Sequence, residues 1–380
     1  MLEVAHVFRK AGPAYRERFA ARMLPSHRKT MRDIEQCRTA ALGGHLRQCD
    51  HCATAQYSYH SCRNRHCPKC HGDQSRLWLE RQRSRLLPCS YFLLTFTLPE
   101  PLRELARAQQ KIVYGSLLTA AAHSLLELIA DPRWLGARPA VLAVLHTWTR
   151  DLRFHPHAHL LVSAGGLTAD GRTWRWPAHR DFLVPCRALS VIFRAKVRDA
   201  LQGIPLRDAL PRNTWRRKWV VHAQYAGNGE QVLQYVARYV HRVAITNSRL
   251  ESFDGQQVDF RYRDSRSGQL QRCNLTADQF IARFLQHVLP ARFTKVRHYG
   301  LLGPRCRDHL ERARSLLQPT APSPDSAPAA SANTDRASLP SARPDLDCPF
   351  CHNGVMRVIA QLEPRSASSP IPRAPPDLSS

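Results

Sequence analysis

Two pairs of closely spaced cysteines constrain this chain more than any other feature. Cys49 and Cys52 form one Cys-x2-Cys pair, and Cys67 and Cys70 form a second pair after fourteen intervening residues. Two such pairs joined by a hairpin make the tetrahedral four-thiolate site of a zinc ribbon. Six of the twelve cysteines lie between Cys37 and Cys70, and such clustering favours metal over disulfides in a reducing compartment. We therefore predict structural Zn²⁺ on Cys49, Cys52, Cys67 and Cys70.

Other potential ligands leave alternatives open around this site. Further cysteines and histidines could replace a predicted ligand or form a second site: Cys37, His45, His60, Cys62 and His66. Near the C-terminus, Cys348 and Cys351 form a third pair that supplies only two ligands. Cys306, His352 or another subunit could complete a site there, and a simple turn fits the pair equally well.

The charge of the chain indicates a polyanionic partner. It has 56 Lys and Arg against 30 Asp and Glu, a net charge of +26, and 43% hydrophobic residues, which is enough for a globular core. Cations lie between the cysteine pairs, and we predict that Arg63, Arg65 and Lys69 contact DNA phosphates. A solvated basic surface is the ordinary alternative.

Neither a membrane span nor an export signal is expected. The longest apolar run, Tyr91–Leu98, is much shorter than the roughly 20 residues of a membrane-spanning helix. The first residues include an acid where a signal peptide has basic residues. We expect a cytoplasmic, DNA-associated protein, and the sequence does not determine its oligomeric state.

The sequence predicts an α+β protein divided into five parts. Helices are expected over Tyr15–Arg38, Asp73–Leu87, Leu102–Ala130 and Glu230–Ile245, and an antiparallel hairpin over Val141–Trp148 and His157–Ser163. Pro, Ala and Ser dominate the region after about residue 318, which predicts disorder. The predicted parts are a helical and zinc-binding domain (1–95), a second domain (96–312) that the motifs described below make the candidate catalytic domain, a disordered linker (313–346), a Cys-x2-Cys segment with a turn and strand (347–360) and a disordered tail (361–380).

Two histidines alternate along the second strand of the predicted hairpin. Alternation sends the side chains of His157 and His159 to one face and the apolar side chains around them to the other. Such a pair can hold a divalent cation, although a surface or hydrogen-bonded core pair is the commoner case. His155 shares the face but adjoins Pro156, so we rank it lower. A cation on His157 and His159 would need a third ligand, and Asp151, His146 and Gln234 are all candidates.

Two tyrosines lie on one side of the last predicted helix. Tyr235 and Tyr239, at positions i and i+4, flank a stripe of valines, and Arg238 and Arg242 lie beyond them as predicted DNA contacts. Packing of both rings in a core is the ordinary interpretation. As nucleophiles they would need a metal or a cationic neighbour, because a tyrosine with a pKa of about 10 reacts poorly at neutral pH.

In combination, these motifs resemble the two-tyrosine HUH transposases of bacterial rolling-circle insertion sequences, nearest to the insertion sequence ninety-one (IS91) type. The resemblance covers about residues 1–310. It rests on seven sequence segments: Cys37–His45, Ser61–Cys70, Leu145–Trp148, His155–Val162, Tyr235–Asn247, Phe284–Pro290 and Arg297–Gly300. Ala158 departs from the bulkier residue usual between the paired histidines, but it faces away from them. We add Arg297 to the predicted DNA contacts.

The resemblance implies an antiparallel sheet with both histidines on a central strand and the tyrosine helix packed beneath. It also implies that Mg²⁺ or Mn²⁺ on His157 and His159 polarises a phosphate of single-stranded DNA at the insertion-sequence ends, and that Tyr235 and Tyr239 form 5′-phosphotyrosine links. Two alternatives are a replication initiator or relaxase with the same chemistry and a non-catalytic zinc-ribbon DNA-binding regulator.

Overall fold

A computed structural model describes residues 1–70, 78–228, 244–264, 267–318 and 347–364. These residues form an α+β structure, as predicted. The helices are α1 (Val4–Arg18), α2 (Pro25–Gln36), α3 (78–83), α4 (Leu102–Ala108), α5 (Gln110–Ile129), α6 (Cys186–Ala200), α7 (Ala277–Leu285) and α8 (Arg307–Leu317). The strands are β1 (Gly44–Cys49), β2 (Ala55–Tyr59), β3 (Ser90–Thr97), β4 (Ala140–Trp148), β5 (Phe154–Ser163), β6 (Gly166–Leu167), β7 (Trp174–Arg175), β8 (Val221–Asn228), β9 (Leu250–Phe253), β10 (Gln257–Arg263), β11 (Leu270–Thr276), β12 (Val296–Gly300) and β13 (Met356–Leu362).

A five-stranded antiparallel sheet forms the centre of the protein. Its strand order is β12-β4-β5-β3-β8, so β5 is the middle strand. The predicted hairpin is confirmed, because β4 and β5 pair from Val141 opposite Val162 to His146 opposite His157. Side chains that are directly opposite in an antiparallel pair share a face, and the pairing therefore carries His146 onto the face of His157 and His159.

Helices α4, α5 and α6 cover the opposite face of this sheet. Leu102–Ala130 was predicted as one or two helices, and it forms two, α4 and α5. Among the described residues, α5 is the one helix long and apolar enough to cross a membrane. Its apolar residues are instead buried against the sheet and α6, with Leu117, Leu118 and Leu125 fully buried in the main core. The composition of α5 is therefore explained by its place in that core.

The N-terminal helices belong to a second core. Tyr15–Arg38 was predicted as helical, but α1 begins earlier, at Val4, and α2 starts only at Pro25, whose fixed φ suits the first helical position. Both helices pack with α7 and the small sheet β11-β10-β9. Of the helix predicted at Asp73–Leu87, the described part is α3, which ends at residue 83.

A third sheet joins the two distant ends of the chain. Its order is β13-β1-β2, so the C-terminal strand lies on the edge of the first hairpin. The predicted turn and strand after Cys348 are confirmed, and this segment is docked on residues 44–49 rather than separate from them. The predicted helix Glu230–Ile245 falls almost wholly outside the described residues, and so does most of the predicted linker. The boundaries predicted for disorder are partly wrong, because α8 continues to Leu317 and β13 continues to Leu362.

Candidate metal centres

Three histidines converge on one face of the central sheet. A nitrogen atom from each of His146, His157 and His159 lies within 4.8 Å of the other two. The ring centroids of His146 and His159 are 4.5 Å apart, and those of His157 and His159 are 4.9 Å apart. Strand alternation positions the β5 pair, and the register of β4 supplies the third imidazole. Three nitrogen donors around one point are a set that can bind a divalent transition ion.

Hydrogen bonds on the far side of two rings orient them. His157 donates its Nδ1–H to the backbone oxygen of His155 at 2.6 Å, which leaves Nε2 as its free lone pair. Nδ1 of His159 lies 3.0 Å from the hydroxyl of Thr95 on the neighbouring strand. Such bonds are the usual support of a metal-binding imidazole. Thr95 was not singled out in the sequence, although Thr95 and Thr97 alternate within an otherwise apolar run.

The protein environment favours neutral imidazoles at this site. Burial lowers the pKa of His157 to about 3, with a further contribution from His159, and lowers the pKa of His159 to about 4. Both rings are therefore unprotonated at neutral pH, as metal binding requires.

Asp151 does not join the histidines. It lies in the turn between β4 and β5, where it forms a 2.5 Å ion pair with Arg153 and accepts a hydrogen bond from the Thr149 hydroxyl. Burial raises the pKa of Asp151, but Thr149 and Arg153 lower it by more, so the carboxylate stays ionised in its own pairing. Of the three candidates for the third ligand, His146 is therefore the one that lies beside His157 and His159 among the described residues. Gln234 lies outside the described residues, as do Tyr235, Tyr239, Arg238 and Arg242.

The four cysteines predicted as one site are divided between two clusters. Cys67 and Cys70 group with Cys37 and Cys62, and the four sulfur atoms lie within 4.8 Å of one another. The Sγ of Cys70 is 3.5 Å from that of Cys37 and 3.6 Å from that of Cys62. Contact with the Cys62 thiol, the largest cause, lowers the pKa of Cys37 to about 7. The predicted ribbon pairing is thus wrong, and Cys37 and Cys62, left open by the sequence, complete this cluster.

Cys49 and Cys52 group instead with the C-terminal pair. Their sulfur atoms and those of Cys348 and Cys351 also lie within 4.8 Å of one another. Spacing along the chain could not reveal this grouping, because it depends on β13 pairing with β1 across some three hundred residues, from Gly44 opposite Leu362 to Cys49 opposite Met356. Cys306 and His352, the other candidates for completing the C-terminal pair, are not in the cluster.

Of the six cations predicted to bind DNA, four lie in the described part of the chain, and three of these have partners within the protein. Arg65 donates to the backbone oxygens of Phe293 and Pro290, both at 2.6 Å, and Lys69 forms a 2.6 Å ion pair with Glu3. Arg297 donates to the Thr119 hydroxyl at 3.2 Å. The charged groups of Arg65, Lys69 and Arg297 therefore have partners inside the protein, and their DNA contacts stay predictions. Arg63 alone of the four described cations is exposed.

Two protein-family models match this chain. The one described as "Transposase zinc-binding domain" matches residues 7–98, and the one described as "Putative transposase" matches residues 140–309. The chain is 41% identical over 379 residues to "Putative transposase y4qJ" of Sinorhizobium fredii (strain NBRC 101917 / NGR234), with 94% of each chain covered. It is 30% identical over 324 residues to "Transposase for insertion sequence element IS801" of Pseudomonas savastanoi pv. phaseolicola, with 77% of each covered. No solved structure gives a significant match.

Proposed function

Because this chain belongs to the IS91-type transposase family, we propose that it nicks and rejoins single-stranded DNA through 5′-phosphotyrosine intermediates during rolling-circle transposition. A transposase cleaves DNA, and the ends of its insertion sequence are the expected substrates. Our proposal adds three things to family membership: action on single-stranded DNA, tyrosine nucleophiles and a catalytic cation. We propose that the protein acts on DNA in the cytoplasm.

The observation that carries this proposal is the convergence of His146, His157 and His159 on the middle strand and its neighbour. The three rings share one face, and hydrogen-bonding contacts at Nδ1 hold the rings of His157 and His159 in place. A cation bound there would act as a Lewis acid on a phosphate oxygen. Three imidazoles suit a transition ion better than Mg²⁺, which prefers oxygen ligands, so Mn²⁺ is the first cation to test.

The proposed nucleophiles are Tyr235 and Tyr239, on the evidence of the motif and its resemblance alone. In each step the tyrosine oxygen attacks the scissile phosphorus and loses its proton. The bond from phosphorus to the 3′ oxygen breaks, and that oxygen ends as a hydroxyl. The phosphodiester is exchanged rather than hydrolysed, so a second 3′-hydroxyl can reverse the reaction and rejoin DNA without an external energy source.

Covalent capture of DNA tests the nucleophiles. An oligonucleotide from an element end, labelled on its 3′ side, should shift with the wild-type protein on a denaturing gel in the presence of Mn²⁺. The double substitution Tyr235→Phe and Tyr239→Phe should abolish this adduct. Tyr262→Phe is the matched control, because the Tyr262 hydroxyl donates to the Gln271 side chain within the small sheet. An adduct that persists in the double variant would place the nucleophile elsewhere.

Loss of a histidine separates catalysis from binding. His157→Ala should remove Mn²⁺-dependent nicking and leave oligonucleotide binding in place, whereas His309→Ala, exposed on α8, should retain both. If zinc-loaded wild-type protein binds the oligonucleotide but never nicks it, the chain is a DNA-binding regulator instead.

A further inference from the structure

We propose that Cys49, Cys52, Cys348 and Cys351 bind a second Zn²⁺, which fastens residues 347–364 onto the N-terminal zinc-binding domain. Neither matching family model reaches this C-terminal segment, since they end at residues 98 and 309. The proposal concerns the architecture of the chain and does not depend on the proposed nuclease chemistry.

The distances between the sulfur atoms fit zinc. The Sγ of Cys49 is 3.7 Å from that of Cys351, and the Sγ of Cys52 is 3.7 Å from that of Cys348. A tetrahedral site with Zn–S bonds of about 2.3 Å has sulfur–sulfur edges of about 3.8 Å. A disulfide would need a separation of about 2.05 Å. The four thiols are thus spaced as ligands of one ion rather than as two cross-links.

The two Cys-x2-Cys pairs have the same backbone turn. In each pair, the N–H of the residue after the second cysteine donates to the backbone oxygen of the first: Ala53 to Cys49 at 3.2 Å and His352 to Cys348 at 3.0 Å. Both closing residues have a left-handed backbone, with φ of 58° at Ala53 and 56° at His352. This conformation is uncommon for residues with a side chain, so its occurrence at matching positions indicates two equivalent knuckles.

Hydrogen bonds to sulfur prepare one knuckle for a thiolate. The backbone N–H groups of His51 and Cys52 both lie 3.4 Å from the Sγ of Cys49 and donate to it. Such donors stabilise the negative charge of a thiolate ligand.

Contacts outside the sulfur atoms align the two knuckles. Asp50 accepts from the Val355 N–H at 2.8 Å and from Arg357 at 3.0 Å. At Gly354, a Cβ atom would lie only 2.5 Å from the Sγ of Cys49. The absence of a side chain at this position therefore allows the C-terminal segment to approach the first knuckle.

Apart from the sulfur atoms, strand pairing and the Asp50 contacts hold this segment over only a small apolar core. The local buried cluster consists of Cys49, Cys348 and Met356, with Cys351 packed against it. Five of the seven residues of β13 are exposed, and Val358 and Ile359 are each 53% exposed. Strand pairing with so small an apolar core is marginally stable in water. Metal binding supplies folding free energy in small thiolate modules, so the segment should dock only when zinc is bound.

Zinc content is the first test. The parent protein for the count is full-length His157→Ala, which lacks one of the three imidazoles, so that zinc at the histidines does not enter the count. It should contain two Zn²⁺ per chain, by mass spectrometry under native conditions and by elemental analysis. The double variant Cys348→Ser, Cys351→Ser should contain one, and so should Cys49→Ser, Cys52→Ser. Cys351→His, which keeps a ligand, should retain two, and Cys273→Ser, outside both clusters, should also retain two. In this parent, one zinc per chain before any cysteine is replaced, or two in either double variant, would overturn the proposal.

Attachment of the segment is the second test. A specific protease site inserted within residues 319–346 allows the full chain to be folded with zinc and then cut. The C-terminal piece should co-elute with the rest of the protein in gel filtration, and it should separate after chelation or in the Cys348→Ser, Cys351→Ser variant. The proposal fails if the piece separates from zinc-loaded wild-type protein, or if it stays attached in that variant.

Discussion

Thr95 is the side chain through which β3 supports the histidine cluster. Its hydroxyl is 3.0 Å from Nδ1 of His159. We expect Thr95→Val to lower the apparent affinity for Mn²⁺ in the nicking reaction by roughly 10–100-fold, the usual effect of losing a hydrogen bond to a metal-binding histidine. Thr95→Ser should restore most of it. The measurement is the nicking rate as a function of Mn²⁺ concentration. If wild type and Thr95→Val give the same curve, the Thr95 hydroxyl does not support metal binding by His159.

His287 makes the stability of the protein sensitive to mild acid. Its Nδ1 is 3.2 Å from the Thr147 hydroxyl and its Nε2 is 3.2 Å from the Leu152 backbone oxygen, so the buried ring ties the residues after α7 to the β4–β5 hairpin. Burial lowers the pKa of His287 to about 3, below its ordinary value of 6.5. Between these values the unfolded chain binds a proton that the folded chain does not, so the folded state loses stability as the pH falls below about 6.5.

The pH dependence should therefore weaken in His287→Gln. From pH 6.5 to 5.5, the free energy of unfolding of wild type should fall more than that of the variant, by about 1 kcal/mol. Urea titrations of both proteins across this range provide the comparison. Parallel declines would mean that other groups cause the acid sensitivity.

At the scale of elements, α5 is a core helix whose two sides differ sharply in burial. Leu117 is fully buried, whereas Ile112 on the same helix is 45% exposed. Leu117→Ala should destabilise the protein by about 2–5 kcal/mol through lost burial and a residual cavity. Ile112→Ala should change stability by less than about 0.5 kcal/mol, as exposed substitutions usually do. Equal losses in urea titrations would show that the helix is not packed as described.

The elements also show where sequence patterns suffice. The hairpin β4–β5 and the helices α4 and α5 were predictable, because β-rich runs separated by a short loop and apolar residues at helical spacing are patterns of neighbouring residues. The break between α1 and α2 was not, since no Gly or Pro interrupts Phe19–Leu24 and the turn there is set by the packing of α1 on α2 and α7.

At the scale of the whole molecule, the net charge of +26 should make DNA binding depend steeply on salt. Arg63 is exposed, whereas the guanidinium of Arg65 binds two backbone oxygens. We expect Arg63→Gln to reduce the slope of log affinity against log salt by about 1, with no loss of stability. Arg65→Gln should destabilise the protein, by about 1–3 kcal/mol, because it leaves carbonyl groups without their donor.

Fluorescence anisotropy with a labelled single strand measures the salt dependence, and thermal unfolding measures stability. An unchanged slope in Arg63→Gln would exclude this side chain from the phosphate contacts.

The sequence by itself determined the local chemistry of this protein: which residues alternate on β5, which helices are apolar, and that thiolate pairs are present. It did so because these properties depend on neighbours along the chain. Only the tertiary structure decided which distant segments share a site. His146 joins His157 through strand register, and Cys49 joins Cys348 through an edge pairing between the two ends of the chain. Metal ligands are grouped by their positions in space. The cysteine side chains are chemically identical, so the sequence does not indicate which of them come together when the chain folds.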